Sequence, residues 1–294
     1  MEDDMAPTAF TVAASDGAPI ATYRWEPSAR SRAAVQIVHG LGEHVRRYDH
    51  LATTLVAAGF LVQGHDTRGH GSTIAGGAEP GVIGAAGWNA SIDDIGLLLD
   101  RLRADAPGVP VVLLGHSMGS FAVQQYLVDH SERVDAVVLS GTAAADLMPA
   151  LDADAPMDLS AFNAPFEPAR TGYEWLSRDE AQVDAYVADP LCGFGYDVAG
   201  TRAVFAGARA AAEPAMVGRI RRDLPIYVVV GDQDPVGNGL ARVHALVQRY
   251  RDAGLGDVEL HVYPGARHEV FNETNRDEVE RDLLGWLDRV VPIG

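Results

Sequence analysis

Lysine is missing from this chain of 294 residues; all 23 of its basic residues are arginine. That excludes the phosphate-binding lysine of a Walker loop, a pyridoxal Schiff base and every serine–lysine dyad. Cysteine is nearly missing as well. Cys192 stands alone and can form no internal disulfide, so no oxidising compartment is implied. Positive charge is short, 23 basic against 41 acidic residues for a net charge of −18. The shortage excludes the basic stripe that a nucleic-acid backbone requires and argues against anionic membrane surfaces. No apolar run approaches the ~18 residues of a membrane span. The opening Met1-Glu2-Asp3-Asp4 is acidic and lacks the basic-then-apolar order of a signal peptide. These absences together lead us to expect a soluble cytoplasmic protein.

A chain of this length buries a full core and reads as one large α/β domain carrying an insertion. Short strands between Thr8 and Trp25, broken by Ser15-Asp16-Gly17, predict a hairpin at a sheet edge. Ala33 to Val38 is a continuous apolar run ending in His39-Gly40, the signature of a strand buried on both faces. A helix through Leu51 to Ala58 and a strand from Phe60 to Val62 follow. Ala90 to Arg103 then has helical spacing, with Ile92, Ile95, Leu98, Leu99 and Leu102 on one stripe. Val109 to Leu114, Met118 to His130 and Val134 to Leu139 continue as strand, helix and strand. The alternation predicts a parallel sheet covered by helices on both sides. It lapses between about Ala143 and Arg222, then resumes with a strand from Pro225 to Val230, a helix from Leu240 to Ala253, a strand from Val258 to Tyr263 and a terminal amphipathic helix. The expected division is a core of residues 1–142 and 223–294 with a cap formed by 143–222.

The chemistry is carried first by Gly115-His116-Ser117-Met118-Gly119, at the junction of a buried strand and a helix. A nucleophile elbow needs that context, because the turn is so sharp that flanking glycines must let neighbouring backbone pass close. A serine that merely caps the following helix is the plainer reading of the motif taken alone. A serine hydroxyl needs a base, and the base needs a third group to fix its tautomer. Both follow in the order Ser, Asp, His: Asp234 beyond the strand ending at Val230, and His268 beyond the strand ending at Tyr263. Asp232 competes with Asp234, but it directly follows the glycine that ends the strand. His261 competes with His268, but it falls inside a strand. The oxyanion that forms on attack needs two amide donors, one from Met118 after the nucleophile and one from Leu41 in the glycine turn His39-Gly40-Leu41-Gly42. His65, Asp66, Arg68 and His70 form a polar cluster, yet no His-Glu-x-x-His or cysteine pairing marks a metal site, and scaffolding is expected. The glycines around Gly69 and Gly76 match no dinucleotide fingerprint. No cofactor and no metal is needed.

At these residues the chain resembles the monoacylglycerol lipase and lysophospholipase-like branch of the α/β-hydrolases, including bacterial monoglyceride lipases. The segments that carry the resemblance are His39-Gly40-Leu41-Gly42-Glu43-His44 with Arg47-Tyr48, Asp66-Thr67-Arg68-Gly69-His70-Gly71, the elbow at Ser117, and Tyr263 to Glu273 around His268. The resemblance implies an α/β-hydrolase fold, a Ser117, Asp234, His268 triad, an oxyanion hole from Leu41 and Met118, and a cap over the site. In such lipases the cap is apolar, whereas this insertion carries Asp146, Asp152, Asp154 and Asp158.

The reaction expected is cofactor-free ester hydrolysis through an acyl-enzyme, with monoacylglycerols or similar monoesters as the small-molecule substrates. Phe162, Phe166, Tyr173, Trp175, Phe194 and Tyr196 are the aromatic residues expected to line an acyl pocket or to pack the cap on the core. Lysophospholipase, thioesterase, peptidase and acyltransferase activities use the same triad and stay open, as does surface association through the cap. A ligand-binding protein without turnover is the alternative of another class.

Overall fold

A computed structural model describes residues 6–74, 78–148 and 155–291. The acidic opening at Met1 to Asp4, Gly76, Asp152 and Asp154 lie outside the described residues.

The frame is an eight-stranded sheet. In chain order the strands are β1 (Thr8–Ala13), β2 (Pro19–Trp25), β3 (Ala33–Val38), β4 (Phe60–His65), β5 (Val111–His116), β6 (Ala136–Ser140), β7 (Ile226–Gly231) and β8 (Val258–Tyr263). They lie in the order β1-β2-β4-β3-β5-β6-β7-β8. The β1–β2 hairpin is antiparallel and sits at one edge, as its turn residues predict, and every pairing from β4 to β8 is parallel. The four central strands β3, β5, β6 and β7 are buried at every residue, because the sheet is covered on both sides.

Side chains alternate across that sheet with the period of two that a strand imposes. On one face Val111, Leu113, Val137, Leu139, Val228 and Val230 pack against α2 (Gly87–Asp105), α3 (Met118–His130) and a later helix at Ala241–Asp252. On the other, Val112, Leu114, Val138, Tyr227 and Val229 pack against α1 (Asp49–Ala57) and a final helix at Arg276–Val290. The helical stripe of α2 divides: Ile92, Ile95, Leu99 and Leu102 face the main core, while Leu98 turns to Ile20 and Ala14 at the hairpin.

Between β6 and β7 no strand occurs among the described residues. The segment holds a 3-10 turn (Leu159–Phe166) and the helices α4 (Glu180–Ala188), α5 (Val198–Ala212) and α6 (Pro214–Val217), after which Ala241–Asp252 is α7 and Arg276–Val290 is α8. Asp158, Asp179 and Asp197 start the first three of these by accepting the amides of Ser160, Ala181 and Gly200. Such N-caps each stabilise a helix by about 1 kcal/mol. Asp146 instead forms a paired bridge to Arg249 of α7, at 2.9 and 2.8 Å. Of the four acids singled out from the sequence, the two that are described therefore cap a turn, Asp158, and tie the segment to the core, Asp146. Its apolar residues Leu159, Trp175, Leu176 and Tyr186 cluster with Ala143 and Val236 at the carboxyl ends of the strands.

Candidate active site

The loops that follow β3, β5, β7 and β8 open at the same end of the sheet, which is where ligands gather in open α/β folds. β5 runs into α3 with one residue between them. Ser117 there has φ 51° and ψ −122°, a conformation that L residues rarely adopt and that persists only where the surroundings enforce it. The enforcement is visible on both sides. A Cβ at Gly115 would stand 2.7 Å from the Gly119 carbonyl oxygen, and a Cβ at Gly119 would overlap the Val38 and His39 carbonyl oxygens. The Ser117 amide donates to Ser140 O at 2.9 Å, which pins the turn to β6. Its neighbours on either side are buried, but Ser117 itself is partly exposed.

Asp234 stands on the loop after β7 with both carboxylate oxygens engaged. Oδ1 accepts the Val236 amide at 2.9 Å, and Oδ2 accepts His268 Nδ1 at 2.9 Å. With its proton on Nδ1, a neutral His268 ring presents its lone pair at Nε2. The ring packs between His116 and Trp175, with centroids 4.7 and 4.8 Å away. Burial works against its charged form, but the Asp234 carboxylate and its hydrogen bond, with Glu269 and Glu43 further off, outweigh it and raise the pKa above the ordinary 6.5. The neighbouring His116 has no such partner and is pushed well down by burial, so it stays neutral. Asp232 accepts the Gly265 amide at 2.8 Å and braces the loop before His268 without reaching the ring. His261 stacks on Tyr263 along β8, 4.4 Å between centroids.

Leu41 and Met118 both border the same cavity as Ser117 and His268. Among the described residues neither backbone N–H has a hydrogen-bond acceptor, which leaves two amides free to donate. The adjacent Gly40 amide is taken by Glu43 Oε1 at 2.6 Å. The same oxygen accepts the Tyr48 hydroxyl at 2.8 Å, and Glu43 Oε2 accepts Arg47 at 2.9 Å. Arg47 also grips Glu269, beside His268, with both terminal nitrogens. Burial opposes the charge on Glu269, but Arg47 prevails and holds its pKa down at about 2, whereas burial raises that of Glu43. A buried ion network thus joins the glycine turn after β3 to the loop that carries His268. Sequence reading assigned no role to Glu43, Arg47 or Glu269; the only signal was their place in the segments that flank Leu41 and His268.

The cavity is narrow, mostly apolar and open to solvent. Of the six aromatic residues singled out from the sequence, Phe162, Trp175 and Tyr196 line it. The other three lie elsewhere. Phe166 packs under the Arg267 guanidinium, Tyr173 packs at a tilt on Tyr186 and donates to Gly193 O, and Phe194 packs on His70. Phe121, Met157, Leu159, Tyr186, Val204 and Phe205 also belong to the apolar wall and were not foreseen.

The His65 to His70 cluster is bonded to the segments around it. His65 pairs with Gln36, Asp66 accepts the Val45 and Ser72 amides, Arg68 bridges Asp94 and Asp16, and His70 accepts the Gly42 amide. Among the described residues two other groups of donors come close enough to share a metal ion: His44, Asp189 and Cys192, and His50, Asp277 and Glu280. Among the described residues no helix is long and apolar enough to cross a membrane.

Comparison with known proteins places these features in a family. The model for the family described as serine aminopeptidase, S33 matches residues 29–275. A monoacylglycerol lipase of Mycolicibacterium smegmatis is 34% identical over 275 residues, covering 90% of each chain. A monoglyceride lipase of Mus musculus is 30% identical over 284 residues, 93% of this chain and 88% of that one. A thermostable carboxyl esterase from Bacillus coagulans, solved with glycerol, matches with a TM-score of 0.87 at 28% identity, over 98% of this chain and 99% of that chain.

Proposed function

The chain belongs to the serine aminopeptidase S33 family of α/β-hydrolases, and from that premise we propose that it hydrolyses monoacylglycerols or similar monoesters with Ser117 as nucleophile. Ser117 Oγ attacks the ester carbonyl while His268 Nε2 takes its proton. Asp234 holds the imidazole in the productive tautomer and steadies the imidazolium that forms. The Leu41 and Met118 amides receive the negative charge on the carbonyl oxygen. The imidazolium then protonates the departing alcohol, leaving an acyl group on Ser117. Water, activated by the same histidine, releases the acid and restores the serine.

One observation carries this reading: the 2.9 Å bond from His268 Nδ1 to Asp234 Oδ2, at a cavity that Ser117, Leu41 and Met118 share. The apolar wall suits an acyl chain. In this reading residues 143–222 form the cap, since they supply Met148, Met157, Leu159, Phe162, Trp175 and Phe205 to that wall. Ester cleavage is favoured over aminopeptidase action by the lack of a free carboxylate. A peptide amine needs a carboxylate that can turn to it, and the two that border the cavity among the described residues, Glu43 and Glu269, are held by Arg47 and by the Gly40 amide, Tyr48 and Asn272.

The test is hydrolysis of 1-monoacylglycerols and of p-nitrophenyl esters with acyl chains from two to sixteen carbons, beside an aminoacyl anilide. We expect ester turnover with a preference for acyl chains over acetate. Cleavage of the anilide with no monoester turned over at any length contradicts the proposal.

A further inference from the structure

Three donor groups that the reaction above does not use converge where the loop after β3 meets the turn after α4. His44 Nε2 lies 2.9 Å from Asp189 Oδ2, and with Cys192 Sγ the donor atoms all lie within 4.8 Å of one another. The turn that carries two of them is locally fixed. Asp189 Oδ1 accepts the Leu191 amide at 2.8 Å and its carbonyl accepts the Cys192 amide at 3.0 Å, which leaves Oδ2 directed to His44. The two segments already touch, since the Gly193 amide donates to Gly42 O at 3.0 Å. We propose that His44, Asp189 and Cys192 form a binding site for one divalent transition-metal ion of the zinc type, which clamps the Leu41 loop to the 189–193 turn.

The donor set selects the ion. A thiolate and an imidazole with one carboxylate suit zinc or cobalt, whereas magnesium and calcium take oxygen ligands throughout. Three protein ligands leave a fourth tetrahedral position for water. Metal–ligand bonds of ~2.0–2.3 Å set tetrahedral donors about 3.3–3.8 Å apart, so the donors need only small side-chain adjustments. Asp189 supplies the anion: partial burial opposes its charge, but bonds from His44 and the Leu191 amide hold its pKa below the usual carboxylate range. Burial pushes the Cys192 thiol well up, against a small opposing effect of Arg47, so the thiolate is expected only when an ion ligates it. Ligation needs a lone pair at His44 Nε2 and a thiolate at Cys192, so binding of the ion releases the thiol proton to solvent.

Because Cys192 is the sole cysteine of the chain, its signature is unambiguous. We would titrate the full-length protein, thiol kept reduced, with cobalt chloride and follow the thiolate-to-cobalt charge-transfer band, then repeat with Cys192→Ser and Asp189→Asn. Thermal melts with and without zinc would run in parallel. The expected result is one equivalent bound with that band, no band in Cys192→Ser, binding weakened at least ~10-fold in Asp189→Asn, and a zinc-dependent rise in Tm lost in Cys192→Ser. Stoichiometric binding without a sulfur band would place the ion at His50, Asp277 and Glu280 and overturn the proposal, as would no binding by the wild type.

Discussion

His268 and Asp234 meet at 2.9 Å through Nδ1 and Oδ2, and the second oxygen of Asp234 is held by the Val236 amide at the same distance. The carboxylate therefore cannot turn away from the ring. Asparagine in its place disturbs the tautomer while keeping the volume, so Asp234→Asn should lower kcat by about 10⁴ with the fold intact. Asp232→Asn, which touches only the Gly265 amide and its neighbour Gln233, should stay within a few-fold of wild type. Ester kinetics with circular dichroism on both variants decide it, and equal losses would sink the assignment.

The raised pKa of His268 sets the acid limb of activity. A protonated imidazole cannot take the serine proton, so kcat/KM should fall as pH drops through a midpoint above the ordinary 6.5 of histidine. A midpoint below that value would mean that Asp234 does not govern the ring. For stability the sign is opposite at this residue, because its pair with Asp234 contributes fully below pH 6.5 and fades as pH rises through the folded value.

Other histidines should dominate stability in acid. Burial lowers His65 and His70 from 6.5 to about 4, and drives His39 and His116 well down. The unfolded chain then binds more protons in that window, so stability is lost as pH falls from 6.5 toward 4. A shift of that size is worth on the order of 3 kcal/mol for each of His65 and His70. Urea unfolding at pH 7.5, 5.5 and 4.5 should show a steep decline, eased in His65→Gln; a flat profile contradicts this.

Glu43 fixes the turn that presents the Leu41 amide, through its bond to the Gly40 amide. Glu43→Ala removes that acceptor and leaves Arg47 with Glu269 alone, so kcat should fall by about 10²–10³, the cost of losing one oxyanion donor. Glu43→Gln keeps an oxygen for Gly40 and Tyr48 and should recover part of the loss. Equal activity of the two variants, or a change confined to KM, would show that the bond to Gly40 does not position the donor.

What the sequence made legible follows from how strongly each feature is constrained. Apolar runs such as Val111 to Leu114, short and bounded by Pro110 and Gly115, read as buried strands, and the sheet, its edge hairpin and its helices followed from them. Ser117, Asp234 and His268 were singled out because each stands just past such a strand. Asp232 and Asp234 lie two apart on one loop; position beyond the strand favours Asp234 in the sequence, and in the fold it is the Asp234 carboxylate that turns to the ring. The cavity wall was the least legible part. Between β6 and β7 no regular period dictates which way a side chain points, so Phe166, Tyr173 and Phe194 face away while Met157, Leu159 and Tyr186 face in. The Glu43, Arg47 and Glu269 network was unreadable for a related reason: Arg47 and Glu269 are 222 residues apart in the chain.

The central claim is that Ser117 is the residue acylated during ester cleavage. The most direct measurement is labelling of wild type and Ser117→Ala with a fluorophosphonate, located by peptide mass spectrometry, beside monoacylglycerol hydrolysis by the same two proteins. The account predicts one label on Ser117 and fatty-acid release by the wild type, and neither by the variant. A label on another residue, or turnover that survives in Ser117→Ala, would contradict it.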